Sequence, residues 1–172
     1  MKVTELGSTQ LGFTFYPASR TVELGSPPTR MRNVPVIDYA EAQKIVDLIV
    51  EKADHLQKSL VVAVSDSHGE LIAFARMDGA PISSIRIAAN KAWTAARERK
   101  TTKEIGEKVR HPEKGHDIAY YGDPRFVGWG GGIPIWKDGM VAGAVGVSGL
   151  SSREDVELAT LAVEQVLAQK VS

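Results

Sequence analysis

Ile133-Pro134-Ile135-Trp136, Lys137-Asp138-Gly139, Met140-Val141-Ala142-Gly143-Ala144-Val145-Gly146-Val147-Ser148: this stretch decides the fold. Two apolar runs flank an Asp-Gly pair, a strong short-range signal for a two-stranded hairpin, because a tight hairpin turn needs residues that tolerate positive φ. An earlier stretch repeats the pattern. Leu60 to Val64 is rich in β-branched residues, Asp66-Ser67-His68-Gly69-Glu70 supplies a turn, and Leu71 to Ala75 returns. Hairpins join antiparallel neighbours, so these four runs predict an antiparallel sheet and exclude a doubly wound parallel one.

Helices fill the intervals. Asp38 with Glu41 matches a capping box, and Ala42, Ile45, Val46, Ile49, Ala53 and Leu56 follow at spacings of three and four. From Pro81 to about Arg97 the stripe Ile85, Ala88, Ala89, Ala92 and Ala96 is made mostly of small side chains, which lets a helix lie close to a sheet. A short helix begins at Thr101 or Thr102, where Thr101 and Glu104 form a second capping box. Ser151 and Glu154 start the last one, with Val156, Ala159, Val163, Val166 and Leu167 on its apolar face. The segment 111–131 holds too much Gly, Pro and charge for a regular element and reads as a long loop. Residues 1–37, rich in Gly, Thr, Ser and Pro, read as an N-terminal arm or tail, with Phe13–Tyr16 able to pair as a short strand. The domain proper is expected over 38–172.

Charge excludes some functions. Lys plus Arg and Asp plus Glu each number 21, so the balance gives no footing for a nucleic-acid or acidic-membrane partner. With no cysteine, thiolate metal sites, disulfides and cysteine nucleophiles are ruled out. The first residues lack an apolar stretch behind Lys2, and no apolar run reaches the length of a membrane span, so a cytoplasmic location is expected. His111 and His116 lie five apart, a spacing that does not put them on one helical face, and no metal site is expected.

Several segments resemble the GlcG/HbpS-like family. They are Val62-Ala63-Val64-Ser65-Asp66 with Gly69, and Arg76-Met77-Asp78-Gly79-Ala80. Ser84-Ile85, Lys91-Ala92, Thr94-Ala95 and Thr102 continue the match, followed by Gly130-Gly131-Gly132-Ile133-Pro134-Ile135, Asp138-Gly139, the run from Gly143 to Gly149, Asp155 and Ala159. The likeness covers roughly residues 38–168. It implies an α+β, profilin-like fold with an antiparallel sheet of about five strands flanked by helices. It also implies haem or another tetrapyrrole as ligand, and assembly into tetramers or octamers, while the apolar, proline-punctuated arm and the glycine-lined sheet by themselves ask for at least a dimer. Thr102 matches the family position that lies near the haem iron, although a hydroxyl is a weak axial ligand and a place at the helix start explains it as well.

The candidate site residues follow from these blocks. Gly131 and Gly132 would let a flat ligand approach the backbone, while Gly143 and Gly146 serve either such a ligand or close packing of the Ala-rich helix. Arg76 and Lys91 are suited to clamping a carboxylate, or to internal and intersubunit salt bridges. The loop collects His116, Asp117, Tyr120, Tyr121, Asp123, Arg125 and Trp129, a mixture fit for a polar, partly flat ligand. His116 and Tyr120 are the candidate acid or base groups. Thr102, His116 and Tyr120 are expected to converge on one cavity. The functional expectation is a small oligomeric ligand-binding protein for haem or another tetrapyrrole. An enzyme or accessory protein acting on a small organic acid, and a purely structural assembly module, are the alternatives.

Overall fold

Asp38 opens the first helix as its sequence predicts. Its side chain accepts from the Glu41 N–H at 2.8 Å while the Glu41 carboxylate accepts from the Asp38 N–H at 3.0 Å. The computed structural model describes residues 33–168, so Phe13–Tyr16 and nearly all of the arm lie outside the described residues. The elements are α1 (Tyr39–His55), β1 (Val61–Asp66), β2 (Leu71–Arg76), α2 (Ile82–Glu98), α3 (Thr102–Val109), β3 (Gly132–Lys137), β4 (Met140–Ser148) and α4 (Ser152–Ala168). Between α3 and β3 the loop contains a single 3₁₀ turn, Ile118–Tyr121, begun by Asp117, whose carboxylate accepts from the Ala119 N–H at 2.9 Å.

Both hairpins form, and the sheet order is β2-β1-β4-β3, antiparallel throughout. It has four strands among the described residues rather than about five, because each hairpin supplies two and every other described segment is helix or loop. The β3–β4 turn places Asp138 and Gly139 at φ 50° and 73°, the left-handed pair that a two-residue hairpin demands.

Helices pack on both faces of the sheet. Val62, Val64, Ile135, Val145 and Val147 meet Ile45, Val46, Ile49, Ala159, Ala162 and Val163 from α1 and α4. On the other face Val61 and Ala63 meet Ala88 and Ala92 of α2. A Cβ on Gly146 would fall 2.6 Å from the Ala92 nitrogen and closer still to the Ala88 carbonyl oxygen. The glycine is thus where a helix backbone approaches the strand, the packing alternative of the two it allowed. Leu56 does not join the apolar face of α1; it caps the helix and is exposed. In α4 the buried side also takes in Asp155, Leu158 and Ala162, ahead of Val156 and Leu167, which are only partly covered.

Candidate functional site

Thr101 caps α3, its Oγ1 accepting from the Glu104 N–H at 3.1 Å, and so fixes where Thr102 stands. Thr102 is fully buried, and its Oγ1 accepts a 2.9 Å hydrogen bond from the Gly132 N–H at the mouth of β3. A Cβ on Gly132 would come within 2.5 Å of the Thr102 methyl, so the threonine welds helix to strand only because a glycine faces it.

One step deeper is a buried ion pair. Lys91 Nζ donates to Asp155 Oδ2 at 2.8 Å and to the Val147 carbonyl at 2.7 Å, and Asp155 Oδ1 accepts from the Leu150 N–H at 3.2 Å. Both side chains are only 3% exposed. Burial pulls the Lys91 ammonium below its ordinary pKa, against the hydrogen bond and charge of Asp155. The same burial raises the Asp155 carboxyl, against Lys91. Gly131 closes over the pair with φ 118°; a Cβ there would lie 2.8 Å from Asp155 Cβ and 2.9 Å from Lys91 Nζ. Thr102, Lys91, Gly131 and Gly132 therefore form one buried polar layer that joins α2, α3, α4 and β3. Lys91 is spent inside the chain, leaving its ammonium no exposed face with which to clamp a carboxylate.

Outside that layer lies an open cleft, made of two adjoining hollows that share Arg110 and Trp129. One, of about 410 Å³, is walled by Val109, His116, Ile118, Val127 and Gly128. The other, of about 580 Å³, runs past Lys103, Gly130, Ser152, Arg153 and Val156. The starts of α3 and α4 meet here. Trp129 presents its ring at 59% exposure. The cations on the rim are loosely engaged: Lys103 lies 3.9 Å from Glu107, Arg153 lies 3.6 Å from Glu157, and Arg110 donates to the Gly128 carbonyl at 3.1 Å. Exposed pairs of this kind contribute about 0–1 kcal/mol and yield readily to a ligand's carboxylates. The His116 backbone N–H donates to the Val109 carbonyl at 3.1 Å, and its ring nitrogens have no hydrogen-bond partner among the described residues.

The expected convergence does not occur. Of Thr102, His116 and Tyr120, His116 alone lines the cleft; Thr102 is sealed beneath helix and strand, and Tyr120 is 83% exposed outside both hollows. Arg76 ends β2 in a separate surface groove beside Asp54, Lys58 and Asp78, and makes no ion pair with Asp78 among the described residues. Sequence reasoning missed Lys103, Arg110 and Arg153. For Lys103 and Arg153 the available signal was a basic residue in the first turn of each of two helices, but only the fold shows that those turns adjoin; Arg110, at the end of α3, carried no such signal. Among the described residues no group of three or more His, Asp or Glu side chains is placed to hold a metal ion. No helix among them is long and apolar enough to cross a membrane.

The chain is similar to proteins of known structure and name. The corrinoid adenosyltransferase PduO of Salmonella typhimurium is 30% identical over 141 residues, covering 81% of this chain and 42% of that protein. The chain thus spans about two fifths of that relative's length. GlcG of Escherichia coli is 35% identical over 119 residues, covering 69% of this chain and 85% of GlcG. A crystal structure of a PduOC–haem complex superposes with a TM-score of 0.71 at 29% identity, over 75% of this chain and 94% of that one. The model of the family described as "Haem degrading protein HbpS-like" matches residues 37–164, and the chain therefore belongs to the HbpS-like family.

Proposed function

We propose that this protein binds haem, or another planar tetrapyrrole, in the cleft between α3, the 111–131 loop and the start of α4. The observation that carries the reading is the donor set of the two hollows. Val109, Ile118, Val127 and Val156 supply apolar wall, Trp129 a flat aromatic face, Lys103, Arg110 and Arg153 cations for carboxylate side groups, and His116 an imidazole with unengaged nitrogens. That is the chemistry a planar, dianionic, iron-bearing ligand asks of a protein. When bound, haem would supply the iron chemistry; the chain's own residues bind it, orient it and hold water off one face. The haem complex of the similar PduOC structure supports the same ligand class.

Self-association belongs to this reading. The sheet face under α2 is not covered as far as β2, and it leaves Phe74 38%, Leu71 57% and, at the start of α2, Ile82 76% exposed. Exposed apolar side chains on this face suit contact with a second copy of the chain. A dimer or larger ring of this chain is expected by light scattering, and a monodisperse monomer at micromolar concentration would remove that part of the proposal.

Haemin titration tests the ligand. The wild-type protein should give a saturable Soret shift, and Trp129→Ala combined with Arg110→Ala should weaken binding by roughly tenfold or more, the loss of a stacking face and a charge-assisted contact. Absence of any haemin spectral change, together with saturable binding of small hydroxy- or keto-acids to the same cations, would replace this reading by the organic-acid one.

A further inference from the structure

His116 matters to the cleft only if its ring is held in place, and its own backbone contact does not do that. The N–H to Val109 fixes the Cα and leaves the side-chain torsions free. What the ring meets is Tyr121, five residues on, at 5.7 Å between centroids and 42° between planes. Tyr121 in turn stacks on Phe126 at 4.3 Å and 27°, and Phe126 meets Trp93 edge-on at 5.1 Å. The rings form a continuous row from the cleft to the α2 helix.

The far end of this row is anchored more firmly than a surface loop requires. Trp93 is 5% exposed, with the Arg125 guanidinium 4.1 Å and the Arg97 guanidinium 4.6 Å from its ring centroid. Arg125 is itself held by the Asp123 carboxylate at 2.7 Å. On either side of Phe126 the backbone is pinned to the fully buried Thr94, whose Oγ1 donates to the Arg125 carbonyl and accepts from the Val127 N–H, each at 3.2 Å. The near end is set by the 3₁₀ turn, which carries Tyr121 back toward His116 and stops at Gly122 with φ 74°. Tyr121, Phe126, Trp93, Thr94, Arg97, Asp123 and Arg125 do not line the candidate cleft.

We infer that Tyr121, backed by Phe126 and Trp93, is a positioning residue that fixes the imidazole of His116 in the cleft. The inference rests on the proposed ligand site for its purpose, but not for its geometry. An aromatic pair of this kind favours one ring orientation by a factor of roughly 2 to 10, enough to decide whether an imidazole is presented or swings free. The phenolic hydroxyl has no part in the contact, so phenylalanine should serve equally.

The experiment has two arms. In the first, ring-carbon relaxation of His116 is measured by NMR without ligand in the wild type, Tyr121→Ala, Tyr121→Phe and Phe126→Ala. The ring should be more ordered in the wild type and in Tyr121→Phe than in the two alanine variants, with melting temperatures showing that each is folded. Equal order in wild type and Tyr121→Ala overturns the inference. In the second arm haemin is titrated into the same four proteins and into His116→Ala. Tyr121→Ala should weaken binding by roughly five- to tenfold and move the Soret band toward that of His116→Ala, with Tyr121→Phe restoring both. A Soret band and affinity unchanged by Tyr121→Ala overturn the inference as well. An ordered, Tyr121-dependent His116 ring in a protein that takes up no haemin supports the positioning role and defeats the haem reading alone.

Discussion

Val147 and Gly146 are neighbours in β4, yet they belong to two differently built faces of one sheet. Val147 points with Val62, Val64 and Val145 into a layer of branched aliphatic side chains filled from α1 and α4. Gly146 faces α2 across Ala63, Ala88 and Ala92, where there is almost no side chain to bury and the helix backbone itself comes down to the strand. The first face gains stability from apolar area removed from water. The second gains it from close approach, and it also contains the polar fasteners: the Lys91–Asp155 pair and the Thr102 and Thr94 hydroxyls. An aliphatic layer tolerates small changes of shape, whereas a close-approach layer tolerates neither bulk nor an unmatched donor. It is this second, less forgiving side that sets α3 and the loop, and so the candidate cleft.

The sharpest way to break the comparison is to exchange the two kinds of error. Gly146→Val should cost roughly 3 kcal/mol or more and abolish cooperative unfolding at ordinary temperature, because the new side chain meets backbone that cannot move aside. Val147→Ala, one residue on, should cost only about 2 kcal/mol and leave a folded protein with a small cavity. Denaturant melts of both decide it; a Gly146→Val protein as stable as Val147→Ala would mean α2 does not lie where the structure has it.

A second change asks whether the polar fasteners are as unforgiving as the glycine. Lys91→Met leaves Asp155 buried without its partner and should destabilise by about 3–5 kcal/mol, whereas Lys91→Met with Asp155→Leu should recover most of the loss. Asp155→Leu alone completes the cycle, and a double variant whose loss equals the sum of the two single losses would show that the pair contributes no coupling.

The smallest effect belongs to the residue next door. Glu154, on the surface, accepts from Lys58 and Ser151, and those bonds lower its carboxyl from 4.5 to about 2. A carboxyl with a depressed folded pKa adds stability above its unfolded value and loses it as pH falls through the folded one. The wild type should therefore lose a little stability between pH 4.5 and about 2, and Glu154→Gln should flatten that limb and lower stability at neutral pH by the same small amount. If the limb is unchanged in Glu154→Gln, the exposed pair contributes nothing.

Much of the fold was legible because its signals are local. The Asp-Gly turn, the Ser/Thr/Asp–Glu pairs at three helix starts and the β-branched run of the first hairpin each depend on neighbours in the chain, and each appears where the residues predict. The site was legible only in part. Gly131, Gly132, Thr102 and Lys91 were each candidates, Lys91 as a carboxylate clamp with Arg76, and the structure brings these four together as a sealed layer rather than as a ligand's lining. A glycine that admits a flat ligand and a glycine that admits a threonine methyl look the same in one sequence. Lys103 and Arg153 were overlooked for the opposite reason: nothing near either residue says that the starts of two helices separated by the second hairpin will share a cleft.

The order β2-β1-β4-β3 carries a consequence for how the chain finds this structure. Each hairpin closes through a short turn and can form early and alone, but the central seam pairs Ala63 with Gly146, residues from opposite ends of the domain. Joining them must pay the closure entropy of everything between, including α2, α3 and the long loop, before any of the seam's hydrogen bonds is returned. The topology predicts a seam that forms late, and α2, which packs across β1 and β4, is the element whose early docking would hasten it.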